Sequence, residues 1–243
     1  MPPTPSQEGP PFLLGAYVVE ARVQDWSQFP FNLPYVRELD LTLEGSITLF
    51  VGENGSGKST LLSALAELAG LPGGGGSRNE IPDAENRASL LTAALRPKFR
   101  AKPRDGFFFR ADALLDFARI LDKRKEDPDF LSDPYARYGG KSLRARSHGE
   151  SVSEVFRAKR NGGLFFFDEP ESALSPMRQL DFVRELEETA RGGGWQFVIA
   201  THSPIIMKLR GARLLNFDRP GLPLIHPEDT KHWAAFKRVL CPD

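Results

Sequence analysis

Cysteine is almost absent: Cys241, near the end of the 243-residue chain, is the only one. Neither a disulfide framework nor a cysteine-based zinc site can form within one chain, and this usage fits a reducing cytosol. Net charge is also absent, with 32 Lys plus Arg against 32 Asp plus Glu. No global positive field draws the protein to nucleic acid or to an anionic membrane, so any such affinity must come from a local patch. No uncharged apolar stretch approaches the roughly 18–20 residues of a membrane helix. The opening "MPPTPSQEGPPF" has neither a basic region nor a long apolar core, so a cytoplasmic protein that is not secreted and not inserted in a membrane is expected. No internal repeat is visible.

The chain is 40% hydrophobic and contains 18 Phe, enough for one substantial core, or a core with a small lobe. Residues 1–11, rich in Pro, Gly and polar side chains, read as a disordered leader. "FLLGAYVVEARV" and "RELDLTLEGSITLFVG" then carry strand-like runs broken by the turn-like "EGS". From Ser59 the pattern changes to Leu61, Leu62, Leu65, Leu68 and Ala69, which is helical spacing. "LPGGGGSRNE" ends that helix as a surface connection. Further on come a short helix over 88–95, the basic stretch "RPKFRAKPRDG", the strand "FFF", a helix in "ADALLDFARILDKRK", and a loop with two Asp-Pro pairs. The last part alternates strand "GLFFFDEPE", a helix over 176–190, strand "WQFVIATHS", a short helix at "PIIMKL" and strand "ARLLNF". This alternation predicts an α/β fold with a mostly parallel sheet covered on both faces, plus an antiparallel element from the N-terminal strands.

Three places carry chemistry. Gly52, four residues, then Gly57, Lys58 and Ser59 fit the phosphate-binding loop pattern, with a strand before and a helix after. A helix N-terminus offers unpaired N–H groups and partial positive charge, and glycines let the backbone wrap closely around phosphate oxygens. Lys58 would reach the β- and γ-phosphates, and the Ser59 hydroxyl would hold Mg²⁺. The nucleotide-binding set expected from the loop is Gly52, Asn54, Gly55, Ser56, Gly57, Lys58, Ser59 and Thr60. Second, "LFFFDEPE" puts Asp168 and Glu169 at the carboxyl end of a wholly apolar strand, the edge where open α/β sheets bind ligands. Asp168 is an Mg²⁺ partner, direct or through water, and Glu169 orients or deprotonates the attacking water. The plainer alternative is an acidic pair that merely ends a buried strand. Third, His202 in "IATHSP" follows another buried strand at the same edge, either as a γ-phosphate sensor or as a structural histidine.

In this order the motifs resemble the nucleotide-binding domain of ABC-type ATPases. "GENGSGKST" matches Walker A, "SHGES" the signature, "FFFDEPE" Walker B with its glutamate, "SALS" the D-loop and "THS" the H-loop. The resemblance runs from about Phe12 to Phe217. It is nearest to short bacterial AAA-family ATPases akin to chromosome-maintenance and DNA-repair ABC ATPases. It implies a P-loop NTPase fold in a single domain over 12–243, with a helical lobe at about 84–160. It also implies an ATP hydrolase using ATP and Mg²⁺, with Glu169 and His202 catalytic and Ser59 and Asp168 at the metal. Through the same resemblance, Ser147 and Gly149 would hold the γ-phosphate bound by the opposite subunit of a head-to-tail homodimer formed on ATP binding.

The departures bear on coupling. No glutamine stands where a Q-loop is expected; "FFFRAD" offers Arg110 or Asp112 instead. His148 and Glu150 replace residues of the family signature. Fewer than about 90 residues separate Lys58 from Ser147, and no heptad series is present, so a long coiled-coil arm is excluded. Phe31 or Tyr35 could stack on adenine or pack in the core. Arg96, Lys98, Arg100, Lys102 and Arg104 alternate along "RPKFRAKPRDG", as a solvated loop or as a contact for phosphate backbone or an acidic partner. Three functions compete: a soluble Mg²⁺-dependent ATPase driving an unidentified partner, the ATP-binding subunit of a membrane transporter, and an ATP-dependent nucleic-acid-binding or defence component.

Overall fold

The computed structural model describes residues 10–76, 89–103, 105–112, 114–127, 132–136 and 162–241. The strands are β1 (Leu13–Val18), β2 (Asp40–Thr42), β3 (Ile47–Val51), β4 (Leu95–Phe99), β5 (Gly106–Arg110), β6 (Gly163–Asp168), β7 (Trp195–Ala200), β8 (Arg213–Asn216) and β9 (Leu224–Ile225). The helices are α1 (Lys58–Leu68), α2 (Leu90–Ala94), α3 (Leu114–Glu126), α4 (Pro176–Arg191), α5 (Pro204–Met207) and α6 (Lys231–Leu240). The main sheet has the order β5-β6-β7-β3-β8-β9. Every pairing in it is parallel except β8 with β9. The small sheet, β2-β1-β4, is antiparallel.

Strands covered on both faces must be apolar throughout, and β3 and β6 are buried at every position. Alternation along the strands sorts their side chains between two cores. Phe50, Phe108, Phe166 and Val198 join the α1 side with Leu61, Leu62 and Leu65. Leu49, Phe109, Phe167 and Ile199 face the other side with Phe182 and Leu186 of α4. A buried glutamine joins the two sheets: Gln196 of β7 accepts from the Phe12 and Leu13 amides at 2.8 and 2.9 Å and donates to the Leu13 carbonyl at 2.7 Å. Three buried backbone groups thereby gain a side-chain partner.

One element differs from the sequence reading, and one lies where the sequence reading assigned none. Residues 95–99, taken as part of the loop-like basic stretch and its preceding helix, form β4 on the edge of the small sheet. Pro97 fits there because an edge strand can leave one side without ladder donors. The C-terminal α6, beyond the span of the family resemblance, is amphipathic and caps itself: Thr230 accepts from the Trp233 amide at 3.2 Å. Its apolar residues Trp233, Phe236 and Leu240 line a groove of about 800 Å³ with Leu180 of α4 and Ile205 of α5. Among the described residues, no helix is long and apolar enough to cross a membrane.

Candidate active site

The main sheet brings distant motifs into one line. Arg110 is in register with Asp168, Asp168 with Ala200, and Ala200 with Phe50. The carboxyl ends of β5, β6, β7 and β3 thus deliver Arg110, Asp168, the His202 turn and the phosphate loop to one edge.

The loop after β3 is set by local backbone geometry. Gly57 has φ 92° and caps α1. A Cβ at that position would lie 2.8 Å from the Tyr35 hydroxyl, so both conformation and space demand glycine. The Tyr35 hydroxyl donates to the Gly57 carbonyl at 2.8 Å, which fixes the turn from below. Lys58 is 4% exposed; its ammonium donates to the Gly52 and Glu53 carbonyls at 2.9 and 2.8 Å. Burial pushes its pKa down, opposed by Glu169, Asp218, Asp168 and Glu171. Asp218, past β8, accepts from the Glu53 amide at 2.7 Å and braces the outer limb. Asn54 and Gly55 form the exposed tip, with Ser56 partly buried, while Ser59 and Thr60 sit in the first turn of α1. That turn contains no acidic residue, so its free N–H groups keep their positive end of the helix dipole for an anion.

Across the cleft, the Ser59 hydroxyl donates to Asp168 Oδ1 at 2.8 Å. Burial raises the Asp168 pKa, and the Ser59 bond and the Arg110 charge pull against it. Glu169 occupies the left-handed region at φ 47° and ψ 53°, strain of the kind that collects at functional sites. Its amide donates to the Ala200 carbonyl at 2.9 Å, while its side chain is 42% exposed. Ser59, Asp168, Glu169, Arg110 and Ser172 line an open cleft of about 450 Å³. The Ser59 and Asp168 oxygens are hard donors suited to Mg²⁺. Among the described residues, no cluster of three or more His, Cys, Asp or Glu forms a metal cage.

The third element is held by partners the sequence reading did not single out. Glu171 Oε1 accepts from the His202 amide at 2.5 Å and from the Thr201 hydroxyl at 2.9 Å. The Ser203 hydroxyl caps α5 and donates to Gln179 Oε1 at 2.6 Å; Gln179 in turn donates to the Leu174 carbonyl at 3.0 Å. The His202 ring places Nε2 3.4 Å from Glu169 Oε1 and Nδ1 3.0 Å from His232 Nε2 of α6. Burial foremost, then the charge on Lys58, holds its pKa below the usual histidine range.

The expected residues thus fall into groups. Lys58, Ser59, Asp168, Glu169 and His202 meet at one edge. Ser147, Gly149 and Arg104 lie outside the described residues, as does the stretch 137–160 of the predicted helical lobe. Phe31 and Tyr35 are core residues, 6% and 1% exposed, and Tyr35 packs edge-on to Phe217. Arg110 and Asp112, the candidates for the Q-loop place, bind each other through two contacts of 2.7 and 3.1 Å, with Arg110 Nε also 3.9 Å from Asp168 Oδ2. In the basic stretch, Lys98 is engaged by Asp40 and lies over the Tyr17 ring. Glu171, Gln179, Asp218 and His232 escaped the sequence reading because their partners are 30 or more residues away for Glu171–Thr201 and His202–His232, and nothing local marks them.

Comparison with known proteins adds a set of similar sequences and structures. Residues 23–86 match a family model described as "AAA domain", and residues 143–208 one described as "AAA domain, putative AbiEii toxin, Type IV TA system". The hemin import ATP-binding protein HmuV of Enterobacter cloacae is 25% identical over 213 residues, covering 78% of this chain and 80% of that protein. The chain is thus similar to AAA-domain models over two separate stretches and, over most of its length, to a protein named as ATP-binding. The macrolide export ATP-binding/permease protein MacB of Neisseria gonorrhoeae is 28% identical over 196 residues, 70% of this chain but only 28% of MacB. Among solved structures, cbiO1 from Clostridium perfringens, part of the ABC transporter complex cbiONQ, aligns with a TM-score of 0.44 at 17% identity, covering 84% of this chain and 87% of that one. An SmcHead bound to the C-winged helix domain of ScpA aligns at 0.39 and 15% identity, covering 72% and 87%.

Proposed function

We propose that this chain is a Mg²⁺-dependent ATP hydrolase that works in the cytoplasm as an ATP-closed homodimer. The observation that carries the reading is the convergence of Lys58, Ser59, Asp168, Glu169 and His202 at one sheet edge, with Ser59 and Asp168 joined at 2.8 Å.

The loop amides and Lys58 bind the phosphate chain, exchanging the carbonyls of Gly52 and Glu53 for phosphate oxygens of higher charge. Ser59 and Asp168 would hold Mg²⁺, which would supply positive charge against the phosphates. Glu169 orients a water and takes its proton as oxygen attacks the γ-phosphorus. The bond to the bridging oxygen breaks, and ADP leaves with that electron pair. His202 Nε2, beside Glu169, donates to the γ-phosphate and orients it. Ser147 and Gly149 complete the site of the partner subunit, so hydrolysis reopens the pair and works on a bound protein.

Relatives named for hemin import and macrolide export favour a second reading, an ATP-binding subunit of a transporter. Arg110, locked to Asp112 where a coupling glutamine would be expected, weighs against it.

The test is Glu169→Gln in the full chain. An amide can hold a water but is a poor base, so ATP binding persists while turnover falls about 100-fold or more. The variant accumulates as a dimer with ATP and Mg²⁺, seen by light scattering. Undiminished turnover removes Glu169 from catalysis; an ATP-loaded monomer removes the dimer.

A further inference from the structure

The geometry points to His232 as a positioning residue for hydrolysis: its Nε2–H donates to His202 Nδ1 and so keeps the proton of the His202 ring on Nε2, the nitrogen that faces Glu169. This rests on the proposed reading of His202 as the group that meets the γ-phosphate.

The two rings lie 4.7 Å apart between centroids, tilted by 59°, with Nδ1 and Nε2 separated by 3.0 Å. At that distance one nitrogen donates and the other accepts. His202 Nε2 is buried and, among the described residues, has no hydrogen-bond partner, although Glu169 Oε1 is 3.4 Å away. A neutral imidazole has one N–H. If the proton were on Nδ1, Nε2 would turn a lone pair toward a carboxylate and an incoming phosphate, both of them acceptors. If it is on Nε2, Nδ1 needs a donor, and His232 is the donor in place. The bond at one ring nitrogen thus decides what the other can do.

The scaffold makes the pairing rigid. His202 is fixed through its backbone by Glu171. His232 sits in the first turn of α6, behind the Thr230 cap, whose hydroxyl donates to the Pro227 carbonyl at 2.7 Å. Trp233, the next residue, is covered by the Lys208 ammonium at 4.6 Å from its ring centre. The helix that the family motifs do not include therefore supplies the group behind the histidine that they do.

The experiment reads the ring proton directly. The sequence has four histidines, so long-range proton–nitrogen spectra of the ¹⁵N-histidine-labelled full chain resolve each ring, and His202→Gln assigns one of them. In the parent, His202 Nδ1 is the unprotonated nitrogen. His232→Gln keeps a donor and preserves both that state and most of the turnover. His232→Glu has the same size but can only accept, and moves a proton onto Nδ1; a merely structural role would treat the two alike. His232→Leu removes the donor, and turnover falls about tenfold with ATP affinity unchanged. A protonated Nδ1 in the parent, or an Nδ1 unaltered by His232→Glu, overturns the pairing. If the proton behaves as stated while His232→Leu turns over as the parent does, the pairing stands and the phosphate-facing reading of His202 falls.

Discussion

The phosphate loop and the histidine loop lie at the ends of adjacent strands, yet they are built in opposite ways. The first takes its turn and its lysine contacts from its own sequence, with Tyr35 and Asp218 only bracing it from outside. Lys58 bonds carbonyls five and six residues back, Gly57 supplies the turn, and α1 starts at once. The second is made by other parts of the chain: Glu171 holds its backbone from 31 residues away, and His232 holds its ring from 30. A loop whose main contacts are local fails chiefly when its own residues change. A loop held from outside fails when a distant residue does, and it can be altered without touching the groups it presents.

The largest expected effect breaks the first loop from within. Lys58→Ala removes the buried ammonium and both of its carbonyl contacts. Charge-assisted contacts contribute about 1.5–3 kcal/mol each, so ATP affinity falls roughly 100-fold or more in calorimetry. The apolar strands keep the fold. An unchanged dissociation constant would reject the phosphate-loop assignment.

This contrast also explains what was legible. The fold class followed from wholly apolar strands such as "LFFF" alternating with helical spacing, because burial on both faces leaves that mark. The phosphate loop was legible because its chemistry is contiguous. Asp168 and Glu169 were legible as charges at the end of an apolar run. Apart from the family resemblance, His202 was visible only as a histidine after a buried strand, since the atoms that hold it belong to Glu171 and His232. Glu171 lay inside a quoted motif and still gave no signal, because an acidic residue after Pro170 reads as a solvated turn until the fold buries it. Pro97 hid β4 for the same kind of reason: the edge position that tolerates it exists only in the assembled sheet.

A smaller effect sharpens the comparison from the other side. Glu171→Ala leaves the His202 amide and the Thr201 hydroxyl without their acceptor. An unsatisfied buried group costs about 1–3 kcal/mol, so the thermal midpoint drops, and displacement of His202 lowers turnover about tenfold. ATP affinity should remain near the parental value because the phosphate loop is untouched. Full turnover in this variant would show that the histidine loop holds itself, and the contrast would collapse.

The smallest effect is a change with pH. Glu171→Gln retains an oxygen for the two donors but cannot ionise. In the parent, burial raises the Glu171 pKa above its ordinary 4.5, with the bonds from His202 and Thr201 opposing and the Glu169 charge adding to the rise. The folded state therefore binds that proton more tightly than the unfolded chain. Its stabilising effect is complete below about 4.5 and is lost as pH rises through the folded value. Asp168 shifts the same way, but it titrates in both proteins and cancels to first order in their difference. The melting temperature of Glu171→Gln minus that of the parent should then increase between about pH 4 and pH 7. A change of about 1 kcal/mol moves the midpoint of a domain this size by about 2–4 °C, and the gain should be of that order or less. A difference that stays flat across the range would mean that Glu171 ionises in the fold as freely as in the unfolded chain. A difference that shrinks would mean that the amide and hydroxyl it accepts from outweigh its burial, making the histidine loop dependent on the charge of Glu171 as well as on its shape.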